Sequence, residues 1–163
     1  MAEEQPDEWY DEEYFDQYPK HEKRIRQIVD HTNFEASDSV CEFGCGLGHI
    51  LLAIADQIHH GTGIDVSEYA CSTATAAAEN SGIPTLDSNS VDIIELRHES
   101  EYSNQFDKVL MMDISEKSAR RYAAGLSRIR ESCSKAQGQL ILHTPSRAHL
   151  GTNEGPKLPT QAT

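Results

Sequence analysis

The chain has no CxxC pair, no long apolar run and no basic leader, and each absence removes a class of protein. Its four cysteines, Cys41, Cys45, Cys71 and Cys133, lack the paired knuckle of a structural zinc site. The series Cys41, Cys45, His49 is broken by three glycines, so no metal centre is expected. The thiols read as small, reduced side chains in a core, as in the cytoplasm. No apolar stretch approaches the roughly 20 residues of a membrane span. The first residues, MAEEQPDEWYDEE, are acidic rather than a basic segment followed by an apolar one, so no secretory leader is expected either. Basic side chains are scarce as well, with 14 Lys and Arg against 27 Asp and Glu and a net charge of -13. A field of that sign repels phosphate backbones and anionic headgroups, which argues against nucleic acid or membrane as the main partner. Apolar residues make up only 37 % of the chain, so part of its 163 residues is expected to be arm or tail. A cytoplasmic protein with one core is the expectation.

What is present is an alternation of short apolar strands and helices without internal repeats. Residues 1–20 form an acidic arm carrying Trp9, Tyr10, Tyr14, Phe15 and Tyr18, whose rings serve either as a lid or, by preference, as packing on the sheet edge. Residues 21–31 place Ile25, Ile28 and Val29 at helical spacing. Val40, Cys41 and Phe43 form a strand ending in glycines, and a helix follows from His49 to Gly61. Thr62–Val66 reads as a second strand, and an alanine-rich helix is capped by Ser67 and stopped by Gly82. Residues 91–96 read as the third strand, FDKVLMM as the fourth and QLILHT as the fifth, with an amphipathic helix between the last two. This order predicts an α/β fold, a Rossmann-like doubly wound, mostly parallel sheet of five strands with helices on both faces. The core spans residues 21–150, and residues 151–163, with two Pro and two Gly, read as a tail.

The chemistry concentrates at one strand–helix junction, Val40-Cys41-Glu42-Phe43-Gly44-Cys45-Gly46-Leu47-Gly48. Glycines there allow a tight turn and a close approach of ligand to backbone. The helix start adds free N–H groups. Asp65 lies 21 residues after Gly44 at the end of the next strand, where an acid can accept hydrogen bonds from ribose hydroxyls. Two cofactor classes use such a turn. Dinucleotide binders show GxGxxG, but here the spacing is GxGxG and His49 stands in place of the third glycine. Glu42, two residues before the turn, repels a pyrophosphate and suits an ammonium group, which favours S-adenosylmethionine (SAM) over a nicotinamide dinucleotide.

VCEFGCGLG resembles the first motif of class I SAM-dependent methyltransferases, and GIDVSEYA their second. FDKVLMMDISEK is similar to the stretch after the family's fourth strand, and LSRIRESCSKAQGQLILHTPSR to the helix, turn and fifth strand that follow. The resemblance, closest to the ubiquinone-biosynthesis-type O-methyltransferases, spans roughly residues 35–150. It implies methyl transfer from SAM to a small-molecule acceptor. Glu42 would hold the methionine amino group, while Gly44, Cys45 and Gly46 line the methionine moiety. Asp65 would bind the ribose and Val66 face the adenine, with Glu99 near the adenine amine. Met112 and Asp113 would border the sulfonium, and Asp113 or His143 could serve as base for a protonated acceptor. Lys117 stands where the family commonly has His, and Gln137-Gly138-Gln139 replaces a GG turn. The family sheet has seven strands, and nothing strand-like follows QLILHT. The open edge therefore suggests a partner chain or a homodimer, with a non-catalytic SAM-binding module as the alternative.

Overall fold

The computed structural model describes residues 10–17, 22–91, 102, 104–112 and 134–143. Its elements are α1 (Glu12–Asp16), α2 (Glu22–His31), β1 (Ser39–Phe43), α3 (His49–Ile54), β2 (His60–Asp65), α4 (Glu68–Asn80), β3 (Leu86–Ser90), β4 (Phe106–Met112) and β5 (Ser134–His143). The strands form one five-stranded sheet in the order β3-β2-β1-β4-β5. Each neighbouring pair is parallel.

Both faces of the sheet are covered, which is why β1 and β4 are apolar at consecutive positions instead of alternating. Cys41, Phe43, Val109 and Met111 point to one side, where they pack with Ile64, Tyr102 and Phe106. Val40, Leu110 and Met112 point to the other, against Ile28 of α2 and Ile50, Leu51 and Ile54 of α3. The first glycine lies one residue past β1, so the parallel register carries the turn and Asp65 to the same, carboxyl end of the sheet. There Phe43 pairs with Ile64 of β2 and Met111 of β4.

Three boundaries differ from the sequence reading. The third strand is Leu86–Ser90, ahead of the apolar residues 91–96, of which 92–96 lie outside the described residues. LDSNS has little β propensity, but its contacts are tertiary. Ser88 Oγ donates to the Cys71 carbonyl at 2.7 Å and lies 2.8 Å from Thr75 Oγ1, tying the edge strand to α4. The helix α3 stops at Ile54, not at Gly61. The amides of His59 and His60 turn to the Asp38 carbonyl, and β2 begins at His60. Gly61 is then a strand residue, closely covered by the side-chain ends of Leu86, Ile58 and Leu51. Finally, Gln137-Gly138-Gln139 lies within β5 rather than before it, in a stretch where the pairing jumps from Phe106–Ser134 to Lys108–Gln139. The irregularity absorbs extra residues as a bulge does.

At the opposite end of the sheet Lys108, 6 % exposed, donates from Nζ to Asp38, 5 % exposed. Asp38 also accepts the Glu35 amide at 2.7 Å and so closes the turn before β1. Lys108→Met removes the only cation bonded to this buried carboxylate among the described residues. It is expected to lower stability by about 3–5 kcal/mol in urea unfolding, because a broken buried pair leaves an uncompensated charge.

Candidate functional site

The turn after β1 is built on glycine because its backbone is left-handed three times, at Gly44 (φ 71°), Gly46 (φ 51°) and Gly48 (φ 72°). An L-residue in that region costs roughly 1–2 kcal/mol. Gly48 has a second reason, since a Cβ there would lie 2.9 Å from the Cβ of Ala74 on α4. At Gly44 a Cβ would meet none of the described residues within 4 Å. The amides of Gly44 and Cys45 donate to the Ile64 carbonyl at 2.7 and 3.2 Å, which hangs the turn on the end of β2.

Asp65 joins the turn to the next helix. Its Oδ2 accepts the Gly46 amide at 2.8 Å and its Oδ1 the Ser67 amide at 3.0 Å. Burial raises the Asp65 pKa, and the amides of Ser67, Gly46 and Val66 oppose the rise. Each carboxylate oxygen has two acceptor directions, so capacity for further donors remains. Ser67 caps α4 by accepting the Ala70 amide at 3.1 Å, as its position in the sequence predicts.

Glu42 lies beneath the turn, 2 % exposed. Its pKa is pushed up to about 8, first by burial and then by the charge of Asp65, while Arg24 and the Leu51 amide pull it down. Leu51 is in the first turn of α3, where backbone amides have no helical acceptor. The second carboxyl oxygen, Oε2, has no hydrogen-bond partner among the described residues. A buried acceptor left open in this way is costly and is the kind of group a ligand satisfies.

Glu42, Gly44, Cys45, Gly46 and Asp65 are thus brought together at one turn. Val66 follows β2, half-buried, with its carbonyl accepting from Ser90 Oγ at 3.1 Å. Met112 closes β4 at 7 % exposure and pairs with His143 of β5. Glu99 and Asp113 lie outside the described residues. Sequence reasoning missed Arg24, whose charge acts on Glu42 and, with burial, lowers the His143 pKa. Its spacing of four from Ile28 was the available signal, because that places both on one side of α2. The aromatic arm is also placed differently from the expected sheet edge. Phe15 Cε1 lies 3.4 Å from the position of a Gly46 Cβ, and its ring stacks on Tyr69 of α4 at 6.1 Å and 28°. Ser67 Oγ donates to the Tyr10 carbonyl at 2.5 Å. Residues 10–17 of the arm therefore lie against the glycine turn and the start of α4, although α1 buries none of its residues, and Trp9 and Tyr18 lie outside the described residues.

Comparison with known proteins follows the same outline. The family model described as a methyltransferase domain matches residues 40–136. No curated protein sequence matches the chain. Among solved structures, YcgJ from Bacillus subtilis is 18 % identical with a TM-score of 0.60, over 75 % of this chain and 50 % of that one. A protein in complex with a methyltransferase activator of Haloferax volcanii is 23 % identical with a TM-score of 0.64, over 83 % and 58 %. Phosphoethanolamine N-methyltransferase 1 of Haemonchus contortus, solved with phosphoethanolamine and S-adenosylhomocysteine (SAH), is 15 % identical with a TM-score of 0.56, over 72 % and 24 %. The chain spans about half the length of the Bacillus structure. No helix among the described residues is long and apolar enough to cross a membrane. By its sheet order, its glycine turn and the match of its residues 40–136, the chain belongs to the methyltransferase domain family.

Proposed function

We propose that this chain is the cofactor-binding core of a SAM-dependent methyltransferase acting on a small-molecule acceptor. One observation carries the reading: the buried Glu42, whose Oε2 has no partner among the described residues, stands on the strand that leads into a glycine turn held by Asp65. Two acids so close to one turn suit a ligand that is cationic at its amino acid end and carries hydroxyls at its sugar. They do not suit a pyrophosphate, which both would repel.

In this reading Glu42 accepts the methionine ammonium through Oε2, and Gly44, Cys45 and Gly46 present backbone to the methionine moiety. Asp65 uses its spare acceptor directions for the ribose hydroxyls, with Val66 against the adenine and Met112 toward the sulfonium. When bound, SAM supplies a methyl group already activated by positive sulfur. The protein therefore has to position and shield more than to activate. Buried Met112 and the Phe15–Tyr69 stack supply apolar surface on two sides of the turn. Asp113 remains the candidate base where the acceptor carries a proton.

The comparisons support the cofactor through the family and through SAH in the Haemonchus structure. The partner proposed is a protein chain at β5, the last strand of the sheet among the described residues, where Leu142 is 51 % exposed. The Haloferax complex supplies a precedent for an activator chain. Release of SAH from SAM, assayed with pooled small-molecule hydroxyl and amine acceptors, tests for turnover. Binding of SAM without turnover, alone or with a partner chain, would favour the non-catalytic module.

A further inference from the structure

The amino-terminal halves of β1, β2 and β3 carry a polar cluster on the sheet face turned away from α2 and α3. In parallel strands paired residues point to the same face and successive residues alternate. Ser39, His60, Thr62, Asp87 and Asn89 therefore share the face of Cys41, Phe43 and Ile64. They line a cavity of about 260 Å³ that is also walled by the buried rings of Tyr102 and Phe106. His60 Nε2 lies 3.1 Å from Asp87 Oδ1 where both side chains are partly exposed. Thr62 is different, being only 5 % exposed. Its hydroxyl has no hydrogen-bond partner among the described residues, and neither have the side chains of Ser39 and Asn89. A buried hydroxyl that faces a cavity unpaired costs free energy that a bound molecule recovers.

We propose that this cavity is a second binding site, for a neutral polyhydroxylated compound the size of a monosaccharide. The wall selects the class. A ligand hydroxyl both donates and accepts, which matches the hydroxyls of Ser39 and Thr62 and the amide of Asn89. Asp87 keeps an acceptor oxygen beyond the one that faces His60. The rings of Tyr102 and Phe106 offer apolar surface to the C–H face of such a compound. An anion is disfavoured, since no Lys or Arg lines the cavity among the described residues and Asp87 repels it. A wholly apolar ligand would leave the polar wall unsatisfied. The volume lies just under the roughly 300–1,000 Å³ of drug-sized sites, which sets a small occupant. Ser39 and Phe43 are the two ends of β1, about 13 Å apart by the strand rise, so the occupant sits far from the glycine turn. It is therefore not the methyl acceptor, and the site stands whether or not the chain binds SAM.

The test titrates the isotope-labelled full chain with D-glucose, D-ribose and myo-inositol in turn, then with sodium phosphate, and follows backbone amide shifts by NMR. At least one polyol is expected to shift the amides of Thr62, Asp87 and Asn89 saturably, with millimolar affinity or tighter. Phosphate should leave those amides in place. Thr62→Val keeps the shape of the side chain and removes only a hydroxyl that has no protein partner among the described residues. It should therefore unfold at no lower urea concentration than the wild type. The variant is expected to bind the polyol about five- to tenfold more weakly, and SAH as the wild type does. Ser39→Ala should act in the same direction, so the inference does not depend on one variant. No saturable shift with any of the three polyols, shifts confined to Gly44–Gly46 and Asp65, phosphate binding at the cavity, or unchanged polyol affinity in both variants would overturn it. Failure of the wild type to bind SAH would instead count against the cofactor reading alone.

Discussion

Exchanging Glu42 for Gln is expected to stabilise the ligand-free protein and to remove most of its affinity for SAM. The two effects have one cause, the burial of a carboxyl group whose second oxygen is unsatisfied. Its folded pKa of about 8 lies above the ordinary carboxylic value, so the group favours folding most at low pH. That contribution is complete below about pH 4 and is lost as pH rises through 8. A neutral amide carries no such penalty. Glu42→Gln should therefore match the wild type near pH 4 and exceed it by a few kcal/mol near pH 8, read from urea unfolding at both. Binding should move the other way. The ionised Glu42 accepts the cofactor ammonium, which belongs to a free amino acid end and loses its proton only at higher pH. Wild-type SAH affinity should therefore peak near pH 8 and fall about tenfold per unit below pH 7, as Glu42 is protonated. The Gln variant should lack this acid limb and bind about a hundredfold more weakly at pH 8, the scale of one lost buried charge pair. A wild-type affinity that is flat from pH 6 to 8 would separate Glu42 from the ligand.

Asp65→Ala should be costly in both respects. It strips acceptors from the Gly46 and Ser67 amides at once, so the turn loses its tie to α4. Two amides that lose a charged acceptor cost about 2–4 kcal/mol of stability together. In the proposed site the same change removes the ribose acceptor, and SAH affinity is expected to drop by about a hundredfold or more. Asp65→Asn separates the roles, because its one carbonyl oxygen can keep one of the two amides but not both. It should recover part of the stability and little of the affinity. Equal recovery of both would make Asp65 a purely structural clip.

The glycine turn and the acid after the next strand were legible because backbone geometry leaves few residue choices there. Gly44, Gly46 and Gly48 all adopt a conformation that other residues avoid, so the requirement is written in the residues themselves. The first and fourth strands were legible for a related reason: strands buried on both faces carry apolar residues at consecutive positions, as at Val40-Cys41 and Val109–Met112. β3 was not, because an edge strand tied to α4 through Ser88 needs no apolar pattern. Arg24 was missed because its significance is relational. Nothing in a helix sequence states that its guanidinium will act on a group 18 residues away, at Glu42. The arm was misplaced for the same reason, since Phe15 finds the glycine turn only after the sheet has formed.

The account stands on a pocket for a positively charged amino acid joined to a nucleoside, and calorimetric titration of SAH into the reduced wild-type chain at pH 8 addresses it most directly. A single site whose affinity is lost in Asp65→Ala and falls with pH is the predicted result. Heat from NADH in place of SAH, or none from either, would contradict it.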